Sequence, residues 1–196
     1  MSVRSDKALH RGRAALARAR DHLPLLALLL GVGAQAVLLL SRVGQGWFGV
    51  DALHYLAQRG GVGAPTESLM EPYAGHWQPL LILGYRTLYE FVGLDTYLPY
   101  VLPAVAVHIG LCLLLYVVMA RLGANRWAAV LASVLLAWFG AGSEAFLADA
   151  PVALTSTVLC GYACVAVVHR ATWSRRSLAV VVALLVGALM VSNAAI

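Results

Sequence analysis

The sequence predicts an all-α, polytopic integral membrane protein with about five transmembrane helices. Its composition and its long apolar runs are the observations that predict this fold class. Hydrophobic residues make up 61% of the 196 residues and charged residues only 12%. A soluble globular domain has about 45–50% apolar and about 25% charged residues. This chain therefore has too few polar side chains to cover a water-facing surface, and a disordered chain or a small disulfide scaffold is excluded as well.

The first predicted span follows a basic segment. Residues 1–22 contain six Lys and Arg residues against two Asp residues, and the uncharged apolar run Leu23–Ser41 comes next. That run is long enough to cross the ~30 Å hydrocarbon core of a bilayer. A signal peptide has a similar layout, but the cleavage-like triplet at 34–36 lies inside the apolar run. We therefore expect an uncleaved anchor in the plasma (inner) membrane of the cell envelope. Residues 1–22 form its cytoplasmic segment, and residues 23–196 form the transmembrane domain.

Four more apolar runs are predicted to span the membrane, and one further run is ambiguous. The four are Leu98–Ala120, Trp127–Gly142, Ala150–His169 and Leu178–Ser192. The ambiguous run, Pro79–Gly93, is short and contains Arg86 and Glu90 one helical turn apart. Charges at the centre of a bilayer are costly. We therefore predict that Pro79–Gly93 is an interfacial helix that lies along the membrane.

The distribution of charges favours five spans over six. With five spans and an internal N-terminus, eleven of the fourteen basic residues lie inside and seven of the nine acidic residues lie outside. If Pro79–Gly93 crossed the membrane, two basic loops would move outside, against the positive-inside rule. Trp47, Trp77 and Trp138 then mark the outer interface. Membrane orientation accounts for the net charge of +5, so we expect membrane lipid and no nucleic acid as a partner.

The outer loop, residues 44–97, contains most of the candidate site residues. The helical spacing after residue 50 places Asp51, His54 and Tyr55 on one face, and Glu71 and His76 follow in the same loop. Asp51, the two histidines and Glu71 could bind a divalent cation, but their spacing matches no specific metal motif. The alternative for the two histidines is a role as hydrogen-bonded surface groups.

A second outer carboxylate, Asp149, precedes the fourth predicted span. Pro151 suits the first turn of a helix, and an aspartate just before it can cap that helix. Capping alone would explain the position of Asp149, so a structural role stands beside a catalytic one.

Short motifs then follow in a characteristic order. The segment Gly75–Leu81 leads into the interfacial helix, and a span that opens with Tyr97–Pro103 comes next. In this order the chain resembles the N-terminal module of GT-C-fold glycosyltransferases, the group that contains protein mannosyltransferases and lipid A aminoarabinose transferases. A His-Pro-Pro-Leu-like motif precedes the interfacial helix in that group, and the segment His76–Leu80 stands in its place here. The resemblance covers about Leu23 to His169.

The resemblance implies sugar transfer at the outer face of the membrane. Enzymes of this group transfer a sugar from a polyprenyl-phosphate donor to an acceptor. Asp51 would occupy the place of their first-loop aspartate, which acts as general base or orients the acceptor, and Asp149 would match their second acidic position. Both are therefore the predicted catalytic residues. Some members bind a divalent cation, and nothing in this sequence decides whether this chain does.

The resemblance also implies a substrate-binding set around these carboxylates. Arg59 or Arg86 would contact the donor phosphate, and an ion pair with Glu90 is the alternative for Arg86. The residues expected to bind substrate are His54, Tyr55, Glu71, His76, Arg59 and Arg86.

Two further expectations concern the extent and the class of the protein. Complete members of the group continue with more spans and usually an outer domain. We therefore expect this chain to be an N-terminal part that is incomplete at its C-terminus and inactive alone; the alternative is that the resemblance concerns only a shared scaffold. The alternative function is that of a non-catalytic multispan subunit or a transporter component. A transporter places ionisable groups near the bilayer midplane, whereas the carboxylates here cluster at one face.

Overall fold

A computed structural model describes residues 3–73, 75–139, 151–169 and 174–192. These residues form α-helices, one short 3₁₀ turn at Val43–Gln45 and no β-strand, so the all-α prediction is confirmed for them. The helices in chain order are α1 (Val3–Arg42), α2 (Val50–Gln58), α3 (Pro79–Val92), α4 (Leu98–Arg121), α5 (Arg126–Ala137), α6 (Pro151–Val168) and α7 (Arg175–Val191). The predicted site residue Asp149 lies outside the described residues.

Two helices are long and apolar enough to cross a membrane. They are the part of α1 from His22 to Arg42, with 21 residues and a mean hydropathy of 2.3, and α4, with 24 residues and a mean hydropathy of 2.5. At ~1.5 Å per residue they extend over about 32 and 36 Å, which matches the ~30 Å core of a bilayer. The first and second of the five predicted spans therefore have the dimensions of membrane helices.

The other predicted spans are shorter helices. The third was predicted to run over Trp127–Gly142, but α5 has 12 residues and ends at Ala137, so it extends over only about 18 Å. α7 has 17 residues, or about 26 Å. The apolar stretch of α6 at Thr155–Val168 is also short. Within the described residues, two helices rather than five meet the length and hydropathy of a span.

The helices α1, α4 and α5 pack through small residues and a buried aliphatic core. Gly31 of α1 permits close approach, because a Cβ atom at that position would lie 2.8 Å from Cγ2 of Val134 on α5. Trp138, just after α5, donates from its indole nitrogen to the carbonyl oxygen of Gly31 at 2.9 Å. His108 of α4 donates to the carbonyl oxygen of Ala137 at 3.4 Å, which is a hydrogen bond between α4 and the end of α5.

α3 is a short helix that packs against one side of the helix bundle. It has 14 residues, starts at Pro79 and is followed by Gly93 in the left-handed region at φ +66°. Its extent of about 21 Å is too short to cross a bilayer. Leu81, Ile82 and Tyr85 are buried, because α3 packs against α2, α4 and α7. Its predicted placement along the membrane surface remains a proposal.

Candidate functional site

The site is built on α2 and on the irregular segment that follows it. α2 buries Ala52, Tyr55 and Leu56, which leaves Asp51 and His54 half-buried at its edge. Residues 67–78 return along this edge, as the hydrogen bonds below show. The predicted helical face that carries Asp51, His54 and Tyr55 is therefore the face that meets the loop.

Asp51 is held by a tyrosine that the sequence analysis did not identify. Tyr73 Oη donates a hydrogen bond to Asp51 Oδ1 at 2.8 Å. The backbone of Tyr73 is itself fixed, because Tyr73 and His76 exchange two main-chain hydrogen bonds at 2.9 and 2.7 Å. The Tyr73 ring also packs on the His54 ring, with centroids 4.3 Å apart and an angle of 31° between the planes. The phenol therefore reaches Asp51 from a rigid position.

The pKa of Tyr73 is raised above its ordinary value. The hydrogen bond to Asp51 is the largest cause, and burial and the nearby carboxylates of Asp51 and Glu67 add to it, against a smaller opposing effect of Arg59. Each of these causes disfavours a tyrosinate beside a carboxylate. Tyr73 therefore remains a hydrogen-bond donor to Asp51 at neutral pH.

The carboxylate of Glu67 contacts His54 of α2 and Arg59, the residue that follows α2. Its Oε2 atom lies 3.1 Å from His54 Nε2, 3.1 Å from Arg59 Nε and 2.9 Å from Arg59 Nη2. Glu67 is one of the seven acidic residues that the charge distribution places outside, and the sequence predicts no further role for it. Its carboxylate instead lies between a histidine that contacts Tyr73 and a buried arginine.

Arg59 is almost completely enclosed, with 1% of its surface exposed. Besides Glu67, its guanidinium donates to the carbonyl oxygens of Ser68 at 2.9 Å and Pro72 at 3.3 Å, and to that of Glu71. Its donors are thus occupied within the protein. Glu71 contributes a main-chain carbonyl to this arrangement, while its side chain is exposed.

The other predicted substrate-binding residues have different environments. Tyr55 is buried, with 2% of its surface exposed, and donates to Gln78 Oε1 at 2.7 Å. His76 is exposed and pairs with Tyr73 through the main chain. Arg86 is half-buried beside Gly60, where a Cβ atom would lie 3.6 Å from Arg86 Cζ. The Nε atom of Arg86 is buried and, among the described residues, has no hydrogen-bond partner.

This geometry bears on two interpretations of the sequence, the Arg86–Glu90 ion pair and the divalent-cation site. Among the described residues, no ion pair joins Arg86 to Glu90, because α3 directs the arginine toward the Gly60 turn. In the same part of the chain, no group of three or more His, Cys, Asp and Glu side chains could hold a metal ion. Glu67 instead contacts His54 and Arg59, and Asp51 accepts a hydrogen bond from Tyr73. The described residues do not fit a divalent cation.

An apolar groove of about 180 Å³ lies on the other side of α3, between α3, α4, α6 and α7. Tyr85, whose ring packs against those of Tyr55 and Tyr100, separates it from the α2 site. Its walls include Leu81, Gly84, Tyr85, Pro103, Val152 and Val191.

Comparison with known proteins gives no relative for this chain. No protein-family model matches it, and neither a curated protein nor a solved structure matches it. The residues and contacts of the site itself are therefore the basis for its function.

Proposed function

We propose that the chain is a membrane glycosyltransferase, or the N-terminal part of one, which transfers a sugar from a polyprenyl-phosphate donor to an acceptor at the outer face of the membrane. The observation that carries this proposal is the oriented carboxylate of Asp51, held by Tyr73 at 2.8 Å. A half-buried carboxylate of this kind is suited to accept a proton from an acceptor hydroxyl.

The contacts of Asp51 support a role as general base. Its Oδ1 atom is engaged by Tyr73, while its Oδ2 atom accepts no hydrogen bond from a described residue. One oxygen is therefore held in position and the other is available to an acceptor hydroxyl. Removing the proton from that hydroxyl helps its oxygen attack the anomeric carbon, and the donor phosphate leaves with the electron pair of the broken bond.

Arg86 is a better candidate than Arg59 to bind the donor phosphate. Arg59 is enclosed and bonded to the protein, whereas Arg86 has no ion-pair partner among the described residues and a buried Nε atom without a hydrogen bond. A guanidinium can bind a phosphate through two parallel hydrogen bonds. The apolar groove lies on the other face of the same helix, α3, and Arg86 is not among its lining residues. The proposal for Arg86 therefore concerns the phosphate of the donor and not its hydrocarbon chain.

The membrane arrangement belongs to the same proposal. If α1 and α4 span the membrane, residues 43–97 between them lie on one side, opposite the basic N-terminal segment. The positive-inside rule assigns that side to the exterior. We propose five spans in total, with α3 along the outer interface. Asp51 and Arg86 then face the compartment in which polyprenyl-phosphate sugars are used.

The test compares Asp51→Asn with wild type in membranes supplied with a polyprenyl-phosphate sugar and an acceptor. Loss of a general base typically lowers the rate by about 10²–10⁴-fold, and insertion into the membrane should be unchanged. Glu90→Gln is a matched control, because Glu90 is exposed on α3. In a separate binding assay, Arg86→Gln should weaken binding of polyprenyl phosphate. Undiminished transfer by Asp51→Asn would remove the main support for the proposal.

Asp149 is the second acidic residue in this proposal. One substitution distinguishes a catalytic role from a helix-capping role. Asn is also a good helix cap, so Asp149→Asn should change transfer little if Asp149 only caps α6. A loss comparable to that of Asp51→Asn would assign Asp149 to the catalytic site.

A further inference from the structure

A second cavity, of about 380 Å³, lies where α1 ends and α4 begins. Val43, Gly46, Trp47, Asp95 and Thr96 form part of its wall. It shares no lining residue with the Asp51 site or with the apolar groove along α3. It is therefore a separate place at which a small group could bind.

Trp47 is a rigid and accessible wall of this cavity. The residue is 64% exposed, yet its ring packs edge-on against Phe48, with centroids 5.5 Å apart. Phe48 is buried and packs in the same way against Tyr97 at 5.0 Å and Tyr100 at 4.7 Å. The indole is thus anchored to a packed aromatic cluster while most of its own surface remains open.

Among the residues that line this cavity, the only charged side chain is that of Asp95. Asp95 is exposed and makes no hydrogen bond or ion pair with a described residue, and no Lys or Arg lies in the cavity wall. Leu40 in the last turn of α1 lines the same space, as do Val43 and Gly44 of the 3₁₀ turn that follows, and the carbonyl end of a helix carries a partial negative charge. An aromatic face beside an unpaired carboxylate attracts organic cations.

We infer that this cavity binds an alkylammonium group, with the Trp47 ring and the Asp95 carboxylate as its two main contacts. The ammonium headgroup of a membrane lipid is its source. Both helices with the dimensions of a membrane span, α1 and α4, have their ends at this cavity, and this places it at the level of lipid headgroups. The inference depends on these two helices crossing a bilayer and not on sugar transfer.

The experiment measures Trp47 emission from the full chain in lipid nanodiscs. Phosphatidylethanolamine replaces phosphatidylglycerol in steps at constant ionic strength, and the spectrum of Trp47→Phe is subtracted to isolate Trp47. In a second arm, free ethanolamine is added to discs of phosphatidylglycerol alone. We expect a saturable change in the first arm only. Trp127→Phe is the matched control, because Trp127 is also exposed but lies in the first turn of α5, at the opposite end of the bundle.

Variants of Asp95 test the charge. Asp95→Asn should weaken the apparent affinity about tenfold, as expected when a charge-assisted contact is lost, and Asp95→Glu should retain it. A saturable response to free ethanolamine would support the ammonium site but replace the lipid headgroup by a soluble amine. No response in either arm, or a response that Asp95→Asn leaves unchanged, would overturn the inference.

Discussion

Tyr73 Oη lies 2.8 Å from Asp51 Oδ1, so a residue of an irregular segment orients a carboxylate of α2. The two residues are 22 positions apart in the sequence. His54, on the next turn of α2, packs against the tyrosine ring and thereby holds the phenol toward the carboxylate. This relationship has a consequence that titration can measure.

We expect Tyr73 to lose its proton above the ordinary tyrosine pKa of about 10. The hydrogen bond to Asp51 and burial both favour the neutral phenol. In Asp51→Asn the pKa should fall toward the ordinary value. An ultraviolet difference titration of wild type against Tyr73→Phe isolates this one tyrosine. An unchanged titration in Asp51→Asn would show that the bond is not formed.

The same shift predicts how stability depends on alkaline pH. The folded state keeps the Tyr73 proton to a higher pH than the unfolded state, so this contribution is complete below the unfolded pKa. It is lost as pH rises from that value through the raised folded pKa. Unfolding in detergent should therefore respond more steeply to alkaline pH in wild type than in Tyr73→Phe. Parallel profiles would contradict the raised pKa.

Arg59→Met should destabilise the segment that follows α2. The substitution leaves the carbonyl oxygens of Ser68, Glu71 and Pro72 without their donor and Glu67 without its ion pair. Because Glu67 is 33% exposed, the cost should lie below that of a fully buried pair, at about 2–3 kcal/mol. Faster limited proteolysis within residues 60–72 and a lower thermal unfolding temperature would both report this loss of stability.

Two further variants define the role of that guanidinium. Arg59→Lys should be intermediate, since an ammonium keeps the charge but lacks the planar fork. Arg42→Met is the control, because Arg42 is exposed at the end of α1. Equal stability of Arg59→Met and Arg42→Met would show that the contacts of Arg59 contribute nothing measurable.

A pair of glycine substitutions tests the packing of α1 on α5. A Cβ atom at Gly31 would lie 2.8 Å from Val134 Cγ2, whereas one at Gly33 meets nothing within 4 Å. Valine has little freedom to turn away in a helix. Gly31→Ala should therefore cost about 1–3 kcal/mol, while Gly33→Ala should be neutral or stabilising. Thermal unfolding in detergent compares the two, and the opposite order would contradict this interface.

The proposed orientation can be tested by cysteine labelling after Cys112, Cys160 and Cys164 are replaced by alanine. An impermeant maleimide added outside intact cells should modify Met70→Cys, whose native side chain is 56% exposed in the outer loop. Arg175→Cys should react only after permeabilisation, because the proposed arrangement places the start of α7 on the inside. External labelling of Arg175→Cys would reject the five-span arrangement.

Helix positions could be predicted from the sequence where hydropathy and helix breakers agree. α4 was predicted as Leu98–Ala120 and lies at Leu98–Arg121, since a long apolar run and an early proline define it. The end of α5 was predicted less well. Trp138 is apolar and extended the predicted run, but α5 ends at Ala137 and the Trp138 indole bonds to Gly31 of α1. That contact depends on tertiary structure.

From the sequence, only the part of the site that depends on helical periodicity could be predicted. Asp51 and His54 share a face of α2, and the period of a helix indicates this directly. The partners Tyr73 and Glu67 come from a segment without periodicity, so no local pattern assigns them. The enclosure of Arg59 was also hidden, because its acceptors are main-chain carbonyls, and main-chain atoms are the same for every residue type.

This use of main-chain acceptors has a consequence for how the outer loop tolerates variation. One guanidinium binds the carbonyl oxygens of Ser68, Glu71 and Pro72, and those oxygens persist whatever side chains the three positions carry. Random mutagenesis of this stretch should therefore recover many different functional sequences at positions 68 and 71, but almost none that lack arginine at 59. Among variants selected for folding, positions 68 and 71 should therefore vary while position 59 remains arginine.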